Sequence, residues 1–83
     1  MVIHPNEISE LLSLMKLLSE RLERLSADSV YAHRASGYRG NLLRQIQHLE
    51  NLKIPLNPDE YTRLRLLIES CYLILVQAGR EIY

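Results

Sequence analysis

The chain has 83 residues, the size of one small domain, and its 10 acidic and 10 basic residues cancel. This balance excludes a general electrostatic attraction to nucleic acid or membranes. A single cysteine excludes an internal disulfide, and the longest apolar run, Cys71–Val76, is much shorter than the roughly 20 residues that span a bilayer. With few glycines and prolines and little β-branched content, the composition favours helices. We therefore expect one all-α domain over residues 1–83.

The first predicted helix begins at Pro5-Asn6 and ends near Leu25. Its apolar residues follow a heptad spacing: Ile8, Leu11, Met15, Leu18, Leu22 and Leu25. Three more leucines widen this stripe and are predicted to contact a partner: Leu12, Leu14 and Leu17. On the charged face, Glu20 and Arg24 have the spacing of an ion pair. The segment Ser26–Ser29 then indicates a short break with a new cap, or a kinked continuation.

The second segment, Ser29–Lys53, keeps helical apolar spacing but contains Gly37 and Gly40. Each glycine costs about 1 kcal/mol relative to alanine in a helix interior. Either the helix is continuous and a row through Gly40 allows close approach of another helix, or Ser36–Asn41 forms a loop. Because the apolar spacing continues across the glycines, we favour the continuous helix.

The last predicted helix has a dense start signal, in which Asn57 caps, Pro58 takes the first position and Glu60 completes a capping box. Leu56 and Tyr61 occupy the positions of a hydrophobic staple. The predicted core stripe is Tyr61, Leu64, Ile68, Cys71, Leu75, Ala78 and Ile82. Of the apolar residues that lie off this stripe, six are predicted to bind a partner: Leu66, Leu67, Tyr72, Leu73, Ile74 and Val76.

Short connections make successive helices antiparallel neighbours. The second and third helices should therefore form a hairpin, each arm about 35–40 Å long at 1.5 Å per residue. The N-terminal amphipathic helix packs on this hairpin or on a partner. The predicted fold is thus an antiparallel helical hairpin with an additional N-terminal helix, three helices in all.

No residue pattern indicates catalysis, a cofactor or a metal site. The three histidines lack the spacing of metal ligands, and Cys71 is expected to be a buried, unreactive thiol. The basic residues of the second segment are spaced around the helix, which does not predict a nucleic-acid surface. An alternative interpretation is a small helical chorismate mutase, which would use some of Arg21, Arg34, Arg39, Arg44 and Gln77.

The segments Leu42–Glu50, Asn57–Tyr61 and Leu67–Leu75 resemble the smallest co-chaperones of type III secretion needle subunits. The resemblance extends over about residues 35–78. It implies that the chain pairs with a tetratricopeptide-like chaperone and that the pair keeps a needle subunit monomeric in the cytoplasm. A cytoplasmic location also agrees with the unpaired cysteine and with an N-terminus that lacks a signal-peptide pattern.

We therefore expect a non-enzymatic protein-binding module. Its partner would be a helical-repeat chaperone, a needle subunit or a second copy of the chain, with neither nucleic acid nor membrane involved. A homodimeric regulatory or structural protein is the main alternative, and the mutase is the other.

Overall fold

The computed structural model describes residues 5–25 and 29–82, with side chains for residues 7–25 and 29–79. These residues form three helices: α1 (Pro5–Glu23), α2 (Ala32–Glu50) and α3 (Pro58–Ile82). No strand occurs in the part of the chain that is described, so the predicted three-helix, all-α fold is confirmed. The molecule measures 42 × 20 × 18 Å.

Local hydrogen bonds form at the C-terminal end of α1 and at the N-terminal end of α2. The N–H of Leu25 donates to the carbonyl of Leu22 at 3.3 Å, so the chain tightens just after α1. Before α2, the hydroxyl of Ser29 accepts the N–H of Tyr31 at 3.1 Å. The backbone carbonyl of Ser29 accepts the N–H of Ala32, also at 3.1 Å. Of the predicted break at Ser26–Ser29, residues 26–28 lie outside the described residues.

The prediction that α2 continues through its two glycines is confirmed. Close approach of another helix through the row Ala32, Ser36 and Gly40 does not occur at Gly40 itself. A Cβ atom on Gly37 would meet nothing within 4 Å, and one on Gly40 would meet only the guanidinium of Arg44, at 3.9 Å. The 19 residues of α2 span about 28 Å, less than expected, whereas the 25 residues of α3 span about 37 Å.

The start of α3 follows the local sequence signal in part. The side-chain oxygen of Asn57 accepts the N–H of Asp59 at 2.8 Å, and its carbonyl accepts the N–H of Tyr61 at 3.0 Å. Leu56 is buried and Tyr61 packs against the core, as a hydrophobic staple requires. Glu60 does not complete the capping box, because its carboxylate lies 3.7 Å from the Nε2 atom of His48 on α2.

Ion pairs between the helices show their directions. Lys16 lies 3.7 Å from Glu50, and Glu23 lies 3.7 Å from Arg39, so α1 and α2 are antiparallel. The proximity of His48 to Glu60 places the end of α2 beside the start of α3, as the hairpin prediction requires. Consequently α1 runs parallel to α3 and packs on both other helices of its own chain.

The core is an aliphatic interior shared by all three helices and by Leu56 from the last connection. Its buried members include Leu11, Met15, Leu18, Leu22, Ala35, Leu42, Ile46, Leu49, Leu64, Ile68, Cys71 and Ile74. Met15, Leu42 and Cys71 are the largest side chains among those that are fully buried. Each helix therefore contributes one of these fully buried side chains to the core.

The prediction that Ile74 contacts a partner is wrong. Ile74 is only 3% exposed and belongs to the core, whereas Leu75, predicted for the core, is only partly buried. Both residues lie about one helical turn after Cys71, so a small rotation of the helix decides which one is covered. Leu12 and Leu67 are partly buried and also pack against the core. Much of their apolar surface is thus covered within the chain.

Candidate protein-contact face

Four of the predicted contact residues meet along the groove between α1 and α3. Leu14 and Leu17 come from α1, and Tyr72 and Val76 come from α3. We call this surface, together with Arg21 at its edge, the α1–α3 face. The groove has a volume of about 390 Å³, and its full lining is Leu14, Leu17, Leu18, Arg21, Tyr72, Leu75 and Val76.

The face exists because the apolar stripes of both helices are wider than the core contact. Leu14 and Leu17 each precede a buried residue by one position, which places them on the same side of the core stripe. On α3, Tyr72 and Val76 are one turn apart on the side that faces α1. Tyr72 is 64% exposed, and the two leucines are 42% and 47% exposed.

Burial of these exposed side chains in a complex would contribute to the free energy of association. Complete burial of a leucine contributes about 1.5–3 kcal/mol. Since roughly half of each leucine is still exposed, covering Leu14 or Leu17 would contribute about 1 kcal/mol more. Tyr72 adds a broad ring with a polar tip, a side chain that is enriched at protein interfaces. The face thus has the composition of a contact surface.

Leu66 and Leu73 are exposed elsewhere on α3. They are seven residues apart, so they lie on one stripe, and neither lines the groove with α1. The predicted partner-binding residues therefore divide into three groups: the α1–α3 face, the outer stripe of Leu66 and Leu73, and the residues that pack on the core.

Charged residues flank the leucines of the α1–α3 face. Glu10 lies one turn before Leu14, and Arg21 lies one turn after Leu17. Neither has an ion-pair partner within 4.0 Å among residues 5–25 and 29–82. On the side of α1 that faces α2, by contrast, Lys16 and Glu23 both have partners. The predicted pair of Glu20 and Arg24 is likewise not formed at this distance.

The comparisons with known proteins give no family. No protein-family model, curated protein or solved structure matches this chain.

Cys71 is the side chain with the most perturbed chemistry in the described part of the chain. Burial raises the pKa of its thiol from 9.0 to about 11, because the charged form loses its hydration. A thiol with a raised pKa in a closed core is a poor nucleophile and a poor metal ligand. The described residues contain no group of three or more histidine, cysteine, aspartate or glutamate side chains that could hold a metal ion.

The arginines considered for a mutase site lie in different places. Arg21 lines the α1–α3 groove, whereas Arg39 lies between α1 and α2 with its Nη2 atom 3.7 Å from Glu23. Arg34 and Arg44 share a shallow depression on α2 with Tyr38. Arg21, Arg39 and the pair of Arg34 and Arg44 thus line three different depressions of the chain.

Three residues beyond the predicted contact residues complete the groove lining. Leu18 is buried in the core, as predicted, and borders the groove, whereas Leu75, predicted for the core, is only partly buried. Arg21 is exposed at the edge. The one-residue offset between Leu14 and Met15, repeated at Leu17 and Leu18, is the signal that the stripe continues past the core.

In the described residues, no helix combines the length and the apolar character that crossing a membrane requires.

Proposed function

We propose that this chain is a non-enzymatic protein-binding module and that the α1–α3 face is its contact surface. The observation that supports this proposal is the clustering of Leu14, Leu17 and Tyr72, each more than two-fifths exposed, along one groove. A groove between two parallel helices accepts the apolar side of a third helix. The partner surface is therefore expected to be helical, with a row of aliphatic side chains.

The resemblance described above gives this partner a specific form. The chain would pair with a tetratricopeptide-like chaperone, a protein built from helices, and would help it to hold a secretion needle subunit. The physical role is the same for any helical partner: apolar surface that each protein exposes alone is buried in the complex.

Site-specific photocrosslinking tests the contact surface. A benzoylphenylalanine at position 17 places the reactive group on the α1–α3 face, and one at position 33 replaces an exposed histidine on α2 as the matched control. We expect adducts from position 17 and none from position 33, with mass spectrometry of the adduct showing which protein was bound. Equal labelling from both positions, or none from position 17, would rule out this face.

Coexpression tests the identity of the partner. A type III tetratricopeptide-like chaperone and its needle subunit should copurify with the wild-type chain and not with Leu17→Glu. The control His33→Glu changes an equally accessible position outside the groove and should retain the complex. If neither the wild-type chain nor the control copurifies with these proteins, the needle assignment is wrong.

A further inference from the structure

We infer that a second copy of this chain occupies the α1–α3 face of the free protein, with the two α1 helices antiparallel. The inference rests on the proposed function, because it names an occupant for the same surface. Such a dimer would have twofold symmetry, with the axis passing between Leu14 and Leu17. Each surface patch would then meet its own counterpart.

The spacing of residues on α1 supports this arrangement. Glu10, Leu14, Leu17 and Arg21 follow one another at steps of four, three and four. At 100° per residue they lie within an arc of roughly 60°, so they form one stripe. The series of steps is the same when it is read in reverse. An antiparallel copy therefore presents its residues at matching heights.

The charges of this stripe are complementary to those of a second copy only when the two α1 helices are antiparallel. In the antiparallel pairing, Glu10 of each copy lies opposite Arg21 of the other, and Leu14 lies opposite Leu17. In a parallel pairing, Glu10 would lie opposite Glu10, and like charges placed directly against each other are strongly unfavourable. The outer residues repeat the pattern, because Glu7 would lie opposite Arg24.

The charged residues of this stripe lie on the surface. Glu7, Glu10, Arg21 and Arg24 are exposed and have no ion pair among the described residues. Within one chain Glu10 and Arg21 are three helical turns apart, too distant to interact with each other. These two residues can therefore pair with each other only across two copies.

Both helices of the face would contribute to the contact. Stable complexes bury about 800 Å² on each partner, so the dimer requires contacts from α3 as well as from the stripe of α1. Tyr72, beside the leucines of α1, would cover the flank of the second α1 helix, which lies in the groove.

Charge reversal tests the arrangement by sedimentation equilibrium of the full chain at micromolar to millimolar concentrations. Glu10→Arg or Arg21→Glu alone replaces two attractive pairs in the dimer by two repulsive ones. Each should raise the dimer dissociation constant by at least about tenfold. The double variant Glu10→Arg/Arg21→Glu restores both pairs and should return the constant close to that of the wild type. An equimolar mixture of the two single variants should form a heterodimer.

Glu20→Arg is the control, because it makes the same change of charge at an exposed position of α1 that does not line the groove. It should leave the dissociation constant unchanged. Circular dichroism will verify that every variant keeps its helices. The inference is overturned if the wild-type chain stays monomeric at all these concentrations. It is also overturned if the dimer dissociation constant of the double variant is no lower than those of the single variants. In either case, adducts from position 17 with another protein would still support the proposed function, so the two failures are distinguishable.

Discussion

Neighbouring residues on α3 give the most direct test of the packing. Ile74 is 3% exposed and packs in the core, whereas Leu73 is 55% exposed on the outer side of the helix. The two side chains have the same number of carbon atoms and similar positions along the helix. Truncating each to alanine therefore compares one buried and one exposed aliphatic group in the same local sequence.

The expected free-energy changes differ clearly. Ile74→Ala removes three buried carbon atoms at about 0.8 kcal/mol each and leaves a cavity, so we expect a loss of about 3 kcal/mol. Leu73→Ala removes a group that is already more than half exposed, and its loss should not exceed about 1 kcal/mol. A domain of 83 residues has a total stability of about 4–12 kcal/mol, so the first loss is a large share of it.

Urea unfolding followed by circular dichroism will measure both changes, at several protein concentrations so that any dimerisation is recognised. The milder Ile74→Val, with an expected loss of about 0.5–1.5 kcal/mol, provides a measurable value if the alanine variant does not fold. Leu66→Ala, on the same outer stripe as Leu73, should behave like Leu73→Ala. Equal losses for Ile74→Ala and Leu73→Ala at low concentration would show that α3 is rotated relative to the core described here.

Three further predictions follow from single side chains. Gly37→Ala and Gly40→Ala should each raise the unfolding free energy by about 0.5–1 kcal/mol in urea, because both sites are helical and have room for a methyl group; a loss would contradict a continuous α2. Asn57→Ala should lower the unfolding free energy by about 1 kcal/mol and Asn57→Gly by only a few tenths, since the cap to Asp59 is lost; equal stability of Asn57→Ala and the wild type would show that the cap contributes nothing. Because burial raises the pKa of the Cys71 thiol from 9.0 to about 11, the unfolded chain loses this proton first as pH rises. Between these pH values the free energy of unfolding of the wild type should therefore fall by up to about 2–3 kcal/mol more than that of Cys71→Ala. An equal fall in both proteins would refute this effect.

The features that sequence predicted well depend on local interactions. The cap at Asn57 uses hydrogen bonds within one turn, and the continuity of α2 through Gly37 depends on propensity and spacing. Such features need no knowledge of the other helices. The capping box does not form at Glu60, whose carboxylate lies 3.7 Å from His48, a residue distant in sequence.

The choice between Ile74 and Leu75 could not be made from the sequence. Both complete the heptad spacing after Cys71, since three and four residues are equally acceptable steps along a helical stripe. What decides is the position of α1 relative to α3, which is a tertiary property. For the same reason, sequence identified Leu14, Leu17, Tyr72 and Val76 as surplus apolar residues without showing that they line one groove.

The three grooves between the helices of this bundle differ in whether ion pairs span them. Lys16 with Glu50, and Glu23 with Arg39, span the α1–α2 groove, and His48 with Glu60 spans the α2–α3 groove. Exposed pairs at such distances contribute little stability, about 0–1 kcal/mol. They do show that charged side chains pair within the chain across the solvent side of those two grooves.

The α1–α3 groove has the opposite character. Its lining is mainly aliphatic and aromatic, and in the part of the chain that is described no ion pair spans it. The proposed partner would bury this apolar seam between parallel helices and would meet charged residues at both ends that have no ion pair among the described residues. If binding occurs at this groove, mutations on the outer stripe of α3 should leave it intact, whereas a single charge placed at Leu17 should abolish it.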